Sequence, residues 1–194
     1  MGSPSSTTVV VIGDEAESAL HALDGLANVR VGRLRTIPEV DAARWASGAH
    51  TPYVVHDRDP LEHVAAAWVE FFDDLSTLEI LELEIERVLV ALERDVMSMP
   101  DYYIVLAPES LPTTWKHWWL GVMPHASPNR VIPWSDSEAS LAKLLRRLPT
   151  GRPWPKPEPW LRGLTHRIPD SAFSTQSVPS LLDGVDGMPE QGEA

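Results

Sequence analysis

The chain has no cysteine, and among its 194 residues only Lys116, Lys143 and Lys156 are lysines. Without thiols there are no disulfides, no thiolate zinc sites and no cysteine nucleophiles, so the fold has to stand on its core. Sixteen basic residues face 28 acidic ones, a formal charge of −12. That balance is a poor match for a phosphate backbone, whose partners rely on clustered Lys and Arg, and no nucleic-acid partner is expected. A basic protein, a metal ion or a small ligand is easier to accommodate. No stretch approaches the roughly 18 apolar residues of a membrane span, and the first residues lack a charged segment followed by an apolar one. No membrane association and a cytoplasmic location are therefore expected. Few lysines beside abundant Ala, Arg, Trp and Pro resemble coding in a high-GC bacterium.

Complete catalytic and phosphate-binding motifs are missing as well. Gly13 has no companions that would make G-x-G-x-x-G, and neither G-x-x-x-x-G-K-[ST], G-x-S-x-G nor H-E-x-x-H occurs. His50, His56 and His63 are close in sequence, but their spacing fits no known metal-ligand pattern.

What is present is an alternation of apolar runs and amphipathic stretches. Thr7 to Ile12, Val29 to Leu34, Pro52 to His56, Tyr102 to Leu106 and Arg130 to Ile132 read as strands. Between and after them, helical spacing marks residues 15–26, 38–45, 61–72, 77–95, the tryptophan-rich stretch from Thr113, and 137–148. LELEIE at 81–86 alternates like a strand, but Leu78, Leu81, Ile85, Val88 and Leu92 follow a 3-4-3-4 spacing and predict a helix. This grammar predicts an α/β fold, an open, mostly parallel five-stranded sheet with helices on both faces, flavodoxin-like or TIR-like. The commonest strand order for such a sheet, 2-1-3-4-5, is the expectation here. Residues 1–148 would form the α/β domain. Residues 149–170 would form a Pro/Trp-rich strap packed on it in polyproline II conformation, and the acidic residues 171–194 a disordered tail.

The stretch TTWKHWWLGVM, residues 113–123, places Trp115, Trp118, Trp119 and Val122 on one helical face. Such a face is too apolar to stay in water. Packing on the sheet is the first expectation, and with Trp154 and Trp160 the three indoles could seat the strap and leave a remainder for binding a protein partner. These five tryptophans are the candidate binding residues.

In open α/β sheets ligands bind beyond the carboxyl ends of the strands. Those ends carry Gly13, Asp14 and Glu15, then His56, Asp57, Arg58 and Asp59, then Pro108, Glu109 and Ser110, and last Ser135 and Asp136. Asp14, His56, Asp57 and Glu109 are the candidates for acid and base chemistry or ligand binding. Asp14, Asp57 and Asp59 are the candidates for a metal such as Mg2+, and a nucleotide is the other cofactor considered. Asp, Glu and Ser also fill turns for capping and solubility, which weighs against a catalytic role.

YYIVLAPESLPTTW followed by a helix and RVIPW, residues 102–134, resembles the later half of a TIR domain. NAD-cleaving TIR enzymes carry a catalytic glutamate where Trp118 stands here, so the resemblance implies a scaffold or interaction role. The acids Asp14, Glu15 and Asp57 also resemble those of a phosphoacceptor receiver domain. Ala107 stands near the place of its Ser or Thr, however, and RVIPW lacks its lysine, which speaks against phosphorylation chemistry. The leading expectation is a non-catalytic α/β protein-interaction module in bacterial signalling or defence. The alternative is a nucleotide- or metal-binding enzyme or sensor that uses the acidic rim.

Overall fold

The structure, a computed structural model, describes residues 6–135, 138–149 and 154–166. The tail expected over 171–194 and the residues Asp136 and Ser137 lie outside them. Five strands, β1 (Thr7–Ile12), β2 (Val29–Gly32), β3 (Tyr53–His56), β4 (Tyr102–Leu106) and β5 (Val131–Trp134), form one open, all-parallel sheet. The predicted α/β architecture is therefore present.

The strand order is β2-β3-β1-β4-β5, which corrects the expected 2-1-3-4-5. β1 holds the centre: Val9 pairs with Val55 on one side and Tyr102 on the other. A central strand of a covered parallel sheet is buried on both faces. The six residues of β1 meet that demand, with Val9, Val10 and Val11 at most 1% exposed, whereas the four of β3 begin at a half-buried Tyr53.

A right-handed crossover puts its helix on one face when the chain moves one way along the sheet and on the other face when it reverses. Only the step from β1 to β2 runs toward the β2 edge. Its helix α1 (Ala16–Leu23) accordingly packs Leu20 and Leu23 on Val9, Val11, Ile104 and Leu106, beside Leu141 and Leu145 of α7 (Glu138–Leu145). α2 (Glu39–Ser47) leads back from β2 to β3, and the Trp45 ring lies so close to Gly32 that a Cβ there would sit 2.6 Å from it. The opposite face, with Val10, Tyr103 and Val105, carries α3 (Glu62–Phe72) and α4 (Leu78–Glu93). The 81–86 stretch is helical as predicted, with Leu81, Ile85 and Val88 buried.

The same face receives α5 (Thr113–His117), which runs through a π-helical turn (Trp118–Val122) into α6 (Met123–Ala126). Pro124 has no N–H to give to residue 120, and its ring would crowd that carbonyl in a regular α-turn; a wider turn relieves both. Trp118 and Trp119 are buried there. Trp118 meets Trp68 of α3 at 5.7 Å between ring centroids, and Trp119 meets Tyr103 at 5.2 Å.

From Trp154 to His166 the chain lies on this face again. The polyproline II expectation is corrected over Pro157–Arg162, which form a helix, α8. Pro157 and Pro159 fall in its first turn, where no helical partner awaits an N–H, so neither proline costs a hydrogen bond. Trp154 stacks on Trp160 at 6.1 Å, stands edge-on to Tyr103, lies under the Arg130 guanidinium, and donates its Nε1–H to the Pro100 carbonyl at 2.6 Å. Trp160, Leu161 and Leu164 are buried in the core of the domain. Among the described residues no helix is long and apolar enough to cross a membrane.

Candidate functional site

The chain leaves β1 toward β2 and leaves β4 toward β5, so these neighbouring strands feed connections that diverge. Beyond their carboxyl ends opens a cleft of about 560 Å3. It is lined by Ile12, Gly13, Leu106, Ala107, Leu111 and Pro112, together with Trp115 and Trp119. The same lining carries Asp14, Glu15, Asp57, Asp59 and Glu62, with Arg35 the one cation among the lining residues.

The strand ends that form this cleft have uncommon backbones. Gly13 sits at φ +125°, and a Cβ there would stand 3.0 Å from the Leu106 carbonyl oxygen, so only glycine lets β1 turn away this close to β4. Ala107 takes the left-handed conformation, φ 42° and ψ 54°, before the turn Pro108–Ser110. Positive φ in a residue with a Cβ costs free energy and gathers at ligand sites and turns.

Asp59 is the deepest polar group of the cleft, at 8% exposure. The Leu61 N–H donates to its Oδ1 at 2.8 Å and the Tyr103 hydroxyl donates to the same oxygen at 3.0 Å. No cation among the described residues pairs with it. Burial pushes its carboxyl up to about 7, against the opposing pull of these two hydrogen bonds, and Glu62 adds to the rise. Tyr103 is held well above the usual phenol range, first by burial and then by the nearby Asp59 charge.

The sequence candidates separate into three places. Asp14, Asp57 and Asp59 all line the cleft. The Asp57 carboxylate also accepts the N–H groups of Leu34 at 2.6 Å and Arg35 at 3.1 Å, which ties the β2–α2 loop to the end of β3. Among the described residues no group of three His, Cys, Asp or Glu side chains is placed to hold a metal ion. His56 stands apart from them. Strand alternation turns it, with Val54, to the face opposite Val55, and it lines a separate space of about 50 Å3 with Thr8, Glu39, Ala42 and Met97. Its Nδ1 accepts the Arg58 N–H at 3.3 Å, and burial lowers its pKa to about 4. Glu109 is exposed outside the cleft, and the Ser135 hydroxyl donates to it at 2.8 Å. Backbone hydrogen bonding at its own residue, then Ser135, holds its carboxyl below the usual range.

Of the candidate binding tryptophans, Trp118, Trp119 and Trp160 are buried, while Trp115 and Trp154 are half-buried. Trp115 and Trp119 belong to the cleft wall. Sequence reasoning did not reach Tyr103 or Glu62 as site residues, nor the pairing of Tyr103 with Asp59. A signal existed for Tyr103, since alternation in YYIVL turns Tyr103 and Val105 to the same face as Ile12 and Trp119. No protein-family model matches the chain, and no curated protein or solved structure matches it either.

Proposed function

We propose that this chain is a ligand-binding α/β domain, an enzyme or sensor of the acidic-rim type, whose small-molecule site is the cleft beyond β1 and β4. One observation carries this reading: a cleft of about 560 Å3 lies at the point where connections diverge, the place at which open α/β sheets bind ligands, and its volume suits a small organic molecule. The strained Ala107 and the obligatory Gly13 at its edge support it. Recognition of a nucleotide through its phosphates has little to work with, because Arg35 is the only cation in the lining.

The test is a ligand-observed NMR screen of fragments against the wild type and a Ser110→Trp variant, which fills the cleft from an exposed position. Fragments that bind the wild type and are lost in the variant are the expected result; a screen with no such hit rejects the reading. A ligand at 100 times its Kd adds roughly 2.7 kcal/mol to stability, so hits can be ranked by thermal shift.

A second reading, a non-catalytic, TIR-like interaction module in bacterial signalling or defence, draws on the outer side of α4, where Ile80, Leu83 and Val90 are exposed along one stripe. Trp118, at the place of the NAD-cleaving glutamate of TIR enzymes, is buried against Trp68, which agrees with a role other than NAD cleavage. Leu83→Glu with Val90→Glu should abolish capture of any partner held through this stripe and leave fragment binding in the cleft unchanged; a partner captured equally by this double variant removes the reading.

A further inference from the structure

Resting on the ligand-binding reading of the cleft, we propose that its ligand is a small organic cation with a flat apolar body, the body against Trp115 and the amine held by the carboxylates of the lining through Asp59. The lining combines two kinds of side chain. Leu106, Leu111 and Trp115 are apolar or aromatic, and Asp14, Glu15, Asp57, Asp59 and Glu62 are carboxylates. Five acids line the cleft and one arginine opposes them, and that arginine already lies 3.9 Å from Glu62. A phosphate or carboxylate ligand would enter against like charge. A neutral apolar ligand would cover the aromatic rings and leave the carboxylates without a counter-charge, so that Asp59 would take up a proton and add nothing to binding.

Asp59 is the independent mark of the missing charge. It is more than nine-tenths buried, it lines the cleft, and both donors that reach it fall on Oδ1. An ammonium or amidinium group in the cleft would supply the counter-ion that no side chain among the described residues supplies, through a charge-assisted hydrogen bond. The partly exposed Trp115 ring adds a π face, which attracts cations and stacks on flat bodies. A bare metal ion satisfies the charge but not the aromatic wall, and no cluster of three ligands awaits it among the described residues.

Isothermal titration of the full chain with tryptamine, indole-3-acetate and indole separates these ligands by charge on a common ring. Tryptamine should bind saturably at one site, and both the acetate and indole should bind at least about ten-fold more weakly. Asp59→Asn should remove most of that preference, and Trp115→Ala should weaken all three. If Asp59→Asn does not fold, Glu62→Gln in the same lining should reduce the preference in its place. Indole-3-acetate binding as tightly as tryptamine, or no binding of tryptamine, overturns the assignment. Cleft-dependent fragments that prove to be anionic overturn the cation and leave the ligand-binding reading standing; a screen with no cleft-dependent fragment at all removes both.

Discussion

Asp59 and His56 stand three residues apart and titrate in opposite senses. Asp59, pushed up to about 7, keeps its proton in the folded chain at pH values where the unfolded carboxyl has lost it. Its contribution to stability is fully present below about pH 4 and is lost as pH rises toward 7. His56, lowered to about 4, stays neutral when the unfolded imidazole is charged, so its contribution is present above about pH 6.5 and is lost as pH falls toward 4. Each slope is at most about 1.4 kcal/mol per pH unit, and between those limits they oppose each other. Wild-type stability should therefore change little from about pH 4.5 to 6.5 on account of this pair, while Asp59→Asn should become more stable with rising pH over the same window. Urea midpoints at several pH values check this, and parallel profiles for the two proteins would exclude it. Gly13 belongs to the same scale: Gly13→Ala places a Cβ 3.0 Å from the Leu106 carbonyl oxygen at φ +125° and should cost about 1 to 3 kcal/mol in urea unfolding. Neither effect could be read from residue type. DRDP and GDE look like ordinary turns, and only the burial of one aspartate and the approach of one strand end set them apart.

At the scale of elements, periodicity was a good guide where one side of an element meets the core. The 3-4-3-4 spacing outweighed the strand-like alternation of LELEIE because a 16-residue helix buries Leu81, Ile85 and Val88 together, which a short strand cannot do. The tryptophan spacing likewise announced one apolar face on the helix after β4. Its contacts were not legible, because they depend on Trp68 and Tyr103 from distant elements and on the π-helical turn Trp118–Val122 that precedes Pro124. Trp118→Ala should open a cavity among these rings and cost about 3 to 5 kcal/mol, whereas Trp115→Ala, at a half-buried wall position, should cost less. Chemical denaturation of both variants tests the order, and a larger loss at Trp115 would contradict it. The polyproline reading failed over Pro157–Arg162 for a physical reason: prolines in a first helical turn are as acceptable as in an extended helix, and burial of Trp160, Leu161 and Leu164 decides between the two.

Over the described residues, the domain core and the segment from Trp154 to His166 are one structure. Trp154 bridges Tyr103, Trp160, Arg130 and the Pro100 carbonyl, and Arg162 pairs with Glu86 of α4. A chain ending at Pro149 would lose Trp154, Trp160, Leu161 and Leu164 from the core and expose the apolar surface they cover. Several buried side chains at roughly 1.5 to 3 kcal/mol each approach the whole stability of an ordinary domain, so this truncation should abolish or greatly weaken cooperative unfolding. A thermal transition like that of the full chain would show that the segment only decorates the domain.

By itself the sequence determined the α/β class, all five strands to within a few residues, the helical nature of 78–93 and the acidic character of the strand ends, because these follow from local periodicity and composition. Tertiary structure decided the strand order, since 2-1-3-4-5 and the observed β2-β3-β1-β4-β5 both satisfy the alternation of strands and helices, and burial on both faces selects the long valine run of β1 for the centre. It also decided which acids share a site. Alternation on one short strand turns His56 away from Asp57, and the crossing of β4 beside β1 brings Tyr103 under Asp59, a meeting of residues 44 positions apart that depends on the order of the strands.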